Sequence, residues 1–289
     1  VTDAVHPFNV FLAERVARLV NLDICGIDVI SKDISCPLNE NHGAIIEVNA
    51  GPGLRMHLAP NEGKPRNVAE PILNMLYPAN LTSRIPIVAV TGTNGKTTVV
   101  RLIAHLARAV NHYTGYTTTD GIYINNKLIY RGDCSGPASA QAVLYDPEVD
   151  YAVLECARGG ILRSGLGFDE CDISVITNIT GDHLELNDIH TLEEMAEVKA
   201  VVGRSTKETG YSILNADDRL SYDLRHDLHC NIALFSLCDG PQIRKHCSLG
   251  GLAAYLDQGN IVVQRGSERT ILADVKSIPL SFQGSATSM

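Results

Sequence analysis

A glycine-rich segment that ends in a lysine and two threonines gives this sequence its clearest indication of chemistry. Residues 91–98 read Thr-Gly-Thr-Asn-Gly-Lys-Thr-Thr and follow the apolar segment 85–90. In a loop of this kind, backbone N–H groups approach phosphate oxygens, the lysine adds positive charge, and the hydroxyl that follows it can ligate Mg²⁺. The predicted ligands are ATP and Mg²⁺, with Thr97 on the metal. The residues predicted to contact the nucleotide are Gly92, Thr93, Asn94, Gly95, Lys96, Thr97 and Thr98.

The loop differs from the general P-loop in the position of its first glycine. The general pattern places a glycine five residues before the glycine of the Gly-Lys pair, where this sequence has Val90, and the first glycine here is Gly92. Apolar residues recur at helical spacing across 97–110, so a strand, a loop and a helix still follow in the required order. The helix would direct the positive end of its dipole at the phosphates. The alternative is an incidental glycine turn.

Further strands and helices alternate along the chain after this loop. Apolar runs and periodicity predict strands at 85–90, 151–155 and 173–178 and helices at 97–110 and 191–203. This alternation predicts an α/β fold with a mostly parallel sheet flanked by helices on both faces, whose ligands bind at the C-terminal ends of the strands. Thr191 and Glu194 form a capping box at the start of the last helix. Segments 260–264 and 269–273 predict a β-hairpin.

The first eighty residues follow a different pattern. They predict a helix at 9–20, strands at 24–30 and 44–48, and a short helix at 68–76. Residues 78–83 have the composition of a linker. We expect an α+β segment at 1–80, an α/β domain at 81–284 and the truncated start of a further domain at 285–289. Because the chain begins without methionine, inside what has the pattern of a domain's end, we interpret it as part of a longer polypeptide.

Composition and charge exclude several classes of partner. The 289 residues are 45% hydrophobic, which allows a full core, yet no apolar run is long enough to span a membrane. A net charge of −9 without a basic run argues against a nucleic-acid partner. The eight cysteines show neither a Cys-x-x-Cys pair nor zinc spacing and are typical of reduced thiols in a cytoplasmic protein. We also expect a homo-oligomer.

Two polar residues follow predicted strands at the sheet edge where the glycine loop belongs. Glu155 ends an apolar strand, and its carboxylate could bind Mg²⁺ directly or through water. His183 follows another strand end, and a histidine that faces a phosphate loop from such a position is a candidate ligand. A histidine in isolation is more often a surface or core residue.

This series of motifs resembles the central domain of the Mur ligase family. The resemblance rests on the loop at 91–98, on Leu-Glu-Cys-Ala-Arg-Gly-Gly around Glu155, and on Thr-Asn-Ile-Thr-Gly-Asp-His ending at His183. It implies that the loop binds ATP, that Glu155 and His183 bind Mg²⁺, and that Asn178 lies near the nucleotide. Many members carry a carbamylated lysine on the following helix, and Lys199 matches it. The alternative for Lys199 is a solvated charge on the helix.

A second set of oxygen-bearing side chains lies in the first eighty residues. Glu47 and Asn49 are two residues apart on a predicted strand and point to one face, and Asp28 can join them if its strand pairs with theirs. Carboxylate and amide oxygens suit Mg²⁺. With the Gly-Pro-Gly at 51–53, this set resembles the C-terminal metal-binding end of ATP-grasp ligases, which implies that the three residues hold the Mg²⁺ ions of ATP. The alternative is a group of solvated polar residues.

The order of the two sets resembles the cyanophycin synthetase family over residues 1–285. The resemblance implies an ATP-dependent amide ligase that works through acyl-phosphate intermediates. Its ATP-grasp part adds aspartate to a polymer backbone, and its Mur-like part adds arginine to the aspartate β-carboxyls. The implied partners are aspartate, arginine and an aspartate–arginine polymer primer. The residues implied in catalysis are Lys96, Arg158, His183 and Lys199. Arg158 and Arg163 could guide the acidic polymer or form structural ion pairs.

Two other interpretations stay open at this point. A different Mur-type ligase, for cell-wall peptide or folate polyglutamate, would share the motifs from the glycine loop to His183 but would not explain Asp28, Glu47 and Asn49. A non-catalytic ATP-binding module would share the loop alone. Mur ligases close a C-terminal domain over the nucleotide, and we expect the 289-residue chain by itself to have little or no ligation activity.

Overall fold

The computed structural model describes residues 2–78, 83–181 and 190–278. The chain divides into two compact units, Val1–Ser83 and Arg84–Met289. Across the described residues, no helix is long and apolar enough to cross a membrane. All eight cysteines fall within the described ranges and have free thiols.

The first unit combines short helices with a two-stranded sheet. Its elements are the helices α1 (Pro7–Leu19), α2 (Arg55–Leu58) and α3 (Ala69–Leu76) and the strands β1 (Gly26–Ile30) and β2 (Ala44–Asn49). The strands are antiparallel and place Asp28 directly opposite Glu47. The helices predicted at 9–20 and 68–76 and both predicted strands are confirmed, with ends that differ by one or two residues.

The first unit buries little apolar surface. A buried asparagine, Asn9, connects α1 to the loop after β1 through bonds from its Nδ2 to the carbonyls of Ile34 (3.0 Å) and Cys36 (2.9 Å). Leu38 is the one apolar side chain that is buried among the described residues of this unit, whereas Leu19 is 72% exposed. The described part of this unit therefore has no extensive hydrophobic core of its own.

The second unit is built on a large sheet. Within the described ranges its eleven strands are β3 (Ile87–Thr91), β4 (Thr114–Thr118), β5 (Gly121–Ile124), β6 (Lys127–Arg131), β7 (Tyr151–Glu155), β8 (Cys171–Ile176), β9 (Thr206–Asn215), β10 (Asn231–Ser236), β11 (Leu252–Asp257), β12 (Asn260–Arg265) and β13 (Glu268–Asp274). Its helices are α4 (Lys96–Ala109), α5 (Pro137–Leu144), α6 (Arg158–Ser164), α7 (Leu192–Arg204), α8 (Arg219–Asp223) and α9 (Pro241–Ser248). The strand order is β13-β12-β11-β10-β9-β8-β3-β7-β4-β5-β6.

The interior of this sheet is parallel and its two edges are antiparallel. Every neighbouring pair from β11 through β10, β9, β8, β3 and β7 to β4 runs parallel. The pairs β11–β12 and β12–β13 on one side, and β4–β5 and β5–β6 on the other, are antiparallel. The predicted α/β fold with a mostly parallel sheet is confirmed, and so is the hairpin, which is β12–β13.

Helices cover both faces of the central strands. All five residues of β3 are buried, as expected for a parallel strand covered on both sides. Val88 and Val90 pack with Val100 of α4 in one core cluster. Ala89, which points to the opposite face, belongs to a second cluster with Ala140 of α5. The strands and helices predicted between 85 and 203 are observed as β3, α4, β7, β8 and α7, with ends shifted by one or two residues.

Candidate functional site

The glycine loop at 92–95 joins β3 to the start of α4. Gly92 has a φ of +146°, and a Cβ there would lie 1.8 Å from Thr177 Oγ1, so only glycine fits against the segment that follows β8. Gly95 has a φ of +83° and is the N-cap residue of α4, where no side chain caps the first N–H groups. These N–H groups and the positive end of the helix dipole form an anion site.

Asn178 holds this loop from the neighbouring strand end. Its Oδ1 accepts a hydrogen bond from the N–H of Asn94 at 2.9 Å, and its Nδ2 donates to the carbonyl of Asn94 at 3.2 Å. The carbonyl of Asn178 accepts from the N–H of Thr93 at 2.9 Å. The structure thus places Asn178 beside the glycine loop, and its side chain contacts the backbone of that loop. Its predicted place near a nucleotide stays a prediction.

Thr97, Thr119 and Glu155 form a compact group of oxygen atoms at the end of β7. Thr97 Oγ1 donates to Glu155 Oε2 at 2.8 Å and lies 3.2 Å from Thr119 Oγ1, while the N–H of Thr119 donates to the same Glu155 oxygen at 3.3 Å. Among the described residues, Glu155 Oε1 is buried without a hydrogen-bond partner. Burial raises the pKa of Glu155, whereas the bond from Thr97 and the charge of Lys96 lower it.

This group fits a Mg²⁺ ion. Mg²⁺ prefers carboxylate, hydroxyl and phosphate oxygens, and an orphaned carboxylate oxygen beside two hydroxyls is such a donor set. Sequence reasoning did not identify Thr119. It lies in the run of three threonines at 117–119, but only the pairing of β4 with β7 places it beside Glu155.

Lys96 is the first residue of α4, directly after the glycine loop and close to acidic side chains. Its Nζ donates to the carbonyl of Thr93 at 2.9 Å. Burial lowers the pKa of Lys96, while the negative charges of Glu155 and Asp133 act in the opposite direction and favour the charged amine. Asp133 is held by Ser135, whose N–H and hydroxyl donate to its carboxylate at 3.1 and 2.6 Å.

Lys199 is a buried lysine close to the glycine loop. It lies on α7, which begins with the predicted capping box between Thr191 and Glu194. The side chain belongs to a residue that is only 2% exposed, so the alternative of a solvated helix charge is wrong. Burial, and then the positive charges of Lys96 and Arg158, lower the pKa of Lys199 to about 7. At neutral pH a substantial share of this lysine is therefore the neutral amine.

The loop, α6 and α7 enclose one cleft of about 190 Å³. Its lining residues are Gly92, Thr93, Lys96, Ala157, Arg158, Gly159, Met195 and Lys199. Three of these side chains carry nitrogen cations or amines, which suits a polyanionic ligand such as the phosphates of a nucleotide. Arg163 lies in the last turn of α6, is exposed, and does not line this cleft.

The predicted roles of His183 and of the set Asp28, Glu47 and Asn49 stay predictions. His183 lies outside the described residues, so its predicted metal and catalytic roles stay predictions. In the first unit, Asn49 Nδ2 donates to Asp28 Oδ2 at 3.3 Å, and Asp28 pairs with Glu47 across β1 and β2. The three side chains therefore share one face. The described residues contain no cluster of three or more His, Cys, Asp or Glu suited to a metal, and the role of this set also stays a prediction.

Comparison with known proteins shows the relationship of this fold and site. Residues 90–268 match the family described as Mur ligase middle domain. The whole chain is 50% identical to cyanophycin synthetase of Geminocystis herdmanii and, again at 50%, to cyanophycin synthetase of Synechocystis sp.. It spans 33% of the length of each of these relatives. A solved UDP-N-acetylmuramoyl-L-alanyl-D-glutamate–2,6-diaminopimelate ligase, 24% identical, matches 71% of this chain with 41% of its own length at a TM-score of 0.52 and shares the fold.

Proposed function

The chain belongs to the Mur ligase family, and we propose that its second unit binds Mg·ATP for the ATP-dependent formation of an amide bond. The observation that carries this proposal is the bond from Thr97 Oγ1 to Glu155 Oε2 at the start of α4, whose first N–H groups have no side-chain cap. Because Thr97 belongs to the first turn of α4 and also bonds Glu155, the anion site and the donor set for Mg²⁺ are adjacent.

The residues of the cleft suit the chemistry of a ligase. A carboxylate does not react with an amine at neutral pH, so its oxygen first attacks the γ-phosphorus of ATP, which gives an acyl phosphate and releases ADP. The neutral amine then attacks the acyl carbon, and inorganic phosphate and a proton leave as the amide forms. Negative charge accumulates on the phosphoryl oxygens during transfer, and Lys96 and the N–H groups at the start of α4 stabilise it.

Thr97, Glu155 and Thr119 are the residues that would hold Mg²⁺, with His183 as a further predicted ligand. The ion would neutralise charge on the phosphate oxygens. The carboxylate of Glu155 would supply negative charge to the ion, and the hydroxyl of Thr97 donates a hydrogen bond to that carboxylate.

For Lys199 we propose carbamylation by CO₂. Its neutral amine can attack CO₂, form a nitrogen–carbon bond and release a proton. The resulting anion would lie near Lys96 and Arg158, whose positive charges now disfavour a charged lysine. In ¹³C-bicarbonate, a carbamate signal in the NMR spectrum of the wild type and none in Lys199→Met is expected. A wild type without the signal would contradict carbamylation.

At the level of the whole enzyme, we propose a cyanophycin synthetase activity for the longer protein to which this sequence corresponds. The ATP-grasp part, including residues 1–80, would add aspartate to the polymer backbone, with Asp28, Glu47 and Asn49 on Mg²⁺. The Mur-like part, including 81–284, would add arginine to the β-carboxyls. Support comes from 50% identity along the entire chain to two proteins of that name.

We also propose substrates and an assembly for this longer protein. They are aspartate, arginine and an aspartate–arginine polymer primer, and the enzyme would be a homo-oligomer. Arg158, which lines the cleft, is the better placed of the two arginines to meet an acidic polymer. Arginine incorporation into such a primer by the full-length protein tests this level of the proposal, and incorporation of another amino acid instead would identify a different Mur-type ligase.

Calorimetric titration of the 289-residue chain with Mg·ATP tests the nucleotide site directly. Lys96→Ala removes the loop amine, and Lys127→Ala removes an exposed lysine on the edge strand β6 as a matched control. Wild type and Lys127→Ala are expected to bind, and Lys96→Ala to bind at least about tenfold more weakly, since charge-assisted bonds contribute on this scale. Equal affinity of all three, or no binding by the wild type, would overturn the proposal.

A further inference from the structure

We propose that Arg101 and Asp120, which lie outside the catalytic group, are positioning residues for the Mg²⁺ site. This inference rests on the proposed function, because it concerns the metal held by Thr97, Glu155 and Thr119. Asp120 lies in the turn between β4 and β5, immediately after Thr119, and Arg101 lies on α4, four residues after Thr97.

The turn is attached to α4 at two points. Residues four apart on a helix share one face, so Thr97 and Arg101 project toward the same neighbour. Thr97 Oγ1 lies 3.2 Å from Thr119 Oγ1, and Arg101 Nη2 donates to the carboxylate of Asp120. The backbone of the turn is also held by the pairing of β4 with β5 and by the bond from the N–H of Thr119 to Glu155. The two contacts with α4, one helical turn apart, add a constraint on the side of the turn that faces the helix, and with it on the hydroxyl of Thr119.

The carboxylate of Asp120 also organises the turn internally. Its Oδ1 accepts from the hydroxyl of Thr118, and Tyr123 contributes its hydroxyl at 3.4 Å from the other oxygen. Arg101 lies against the ring of Tyr123, with its guanidinium carbon 5.7 Å from the ring centroid. Donors from α4, β4 and β5 thus converge on one side chain.

The same turn holds the loop that carries Asp133. The N–H of Gly132 donates to the carbonyl of Asp120 at 3.3 Å, and the N–H of Cys134 donates to the carbonyl of Thr118 at 3.0 Å. Asp133 lies between these two anchored residues, and its charge acts on Lys96. Displacement of the Asp120 turn would therefore disturb the site from two sides, at Thr119 and at Asp133.

The solvent exposure of the Arg101–Asp120 ion pair indicates that the pair contributes to the geometry of the proposed Mg²⁺ site more than to the stability of the whole fold. The side chains of Arg101 and Asp120 are 48% and 51% exposed, and pairs at such positions contribute little to the free energy of folding. Residues that orient metal ligands, by contrast, commonly change metal affinity by about 10- to 100-fold when replaced. The two effects can be separated by experiment.

The test compares Asp120→Asn and Arg101→Gln with a matched control in the full 289-residue chain. Asp257→Asn is the control, because Asp257 forms an ion pair with Arg269 at the opposite edge of the sheet and is also partly exposed. ATP binding is titrated calorimetrically at a series of Mg²⁺ concentrations, and thermal unfolding is recorded without Mg²⁺. Arg101→Lys, which keeps the charge, is the conservative variant.

The Mg²⁺ concentration that gives half of the maximal ATP affinity is expected to rise at least about tenfold in Asp120→Asn and Arg101→Gln. Arg101→Lys should recover part of that loss, and Asp257→Asn should match the wild type. Unfolding temperatures without Mg²⁺ should agree among all four variants. Unchanged Mg²⁺ dependence in Asp120→Asn, or a loss that parallels a fall in unfolding temperature, would overturn the inference while leaving the proposed function intact. ATP binding by the wild type that does not depend on Mg²⁺ would overturn both this inference and the proposed function.

Discussion

Thr97 Oγ1 and Glu155 Oε2 are joined by a 2.8 Å hydrogen bond that connects the first turn of α4 to the last residue of β7. These residues are far apart in sequence and meet because β3 and β7 pair in parallel, with Val90 opposite Glu155. The strand that leads into the glycine loop therefore also sets the position of the carboxylate. The proposed phosphate site and the proposed metal site consequently depend on the same strand pairing.

Replacement of Glu155 should separate nucleotide binding from its dependence on Mg²⁺. Glu155→Gln keeps an oxygen that can accept from Thr97 but removes the charge. We expect ATP affinity with Mg²⁺ to fall at least about tenfold and affinity in chelator to stay unchanged, because the carboxylate acts through the ion. Glu268→Gln, at an exposed position of β13, is the control. Calorimetry under both conditions measures this, and an equal loss in chelator would show that Glu155 acts only on the fold.

Lys199 should make stability depend on pH above neutrality. Its pKa is lowered from 10.5 to about 7, so between these values the unfolded chain binds a proton that the folded chain does not. Stability therefore rises with pH across this window, and the cost of the buried charge is fully present below pH 7. Relative to Lys199→Met, the wild type should gain on the order of a few kcal/mol of unfolding free energy from pH 7 to 10.5.

Urea denaturation at several pH values in CO₂-free buffer checks this expectation. The difference between the wild type and Lys199→Met cancels the titration of other groups. A difference that is constant with pH would mean that Lys199 stays charged in the folded protein. Bicarbonate should stabilise the wild type selectively if the carbamate forms.

Local patterns in the sequence were sufficient for the central elements but not for their neighbours. The glycine loop, the periodicity of α4 and the capping box of α7 depend on residues within one or two turns of each other, and all are observed. Strands such as β6, which is exposed throughout, and β4, which contains three threonines and a glycine, lack the apolar runs that mark β3 and β7. Their pairing is determined by neighbours distant in sequence.

The same limit applies to the candidate site. Lys199 occurs in a helix whose sequence does not show how deeply that face is buried, so its low pKa is a consequence of tertiary packing. Nothing in the sequence distinguishes Thr119 from an ordinary turn residue, and only the pairing of β4 with β7 places it beside Glu155. The spacing of the motif was enough to locate the glycine loop, whereas Lys199 and Thr119 could be placed beside it only once the tertiary structure was known.

The two loop glycines should respond differently to a methyl group. Gly92→Ala would place its Cβ 1.8 Å from Thr177 Oγ1, and Gly95→Ala would place it in open space. Both positions have a positive φ that disfavours alanine, at a cost of about 1–2 kcal/mol in the left-handed region where Gly95 lies, but only Gly92→Ala adds a collision with buried structure. We expect the loss of unfolding free energy to be clearly larger in Gly92→Ala, measured by urea denaturation. Equal losses would contradict the close approach of the loop to Thr177.

The two units should differ in their ability to fold alone. The second unit holds three buried apolar clusters, two around β3 and β7 and one around β8 to β12, whereas the described part of the first unit buries a single apolar side chain, Leu38. Because burial of apolar surface offsets the conformational entropy of the chain, residues 84–278 should unfold cooperatively and residues 1–83 should not. Circular dichroism during urea denaturation, with the 289-residue chain as control, measures both. A cooperative unfolding transition of residues 1–83 by themselves would contradict this prediction, because it would show that the segment is stable without an extensive hydrophobic core.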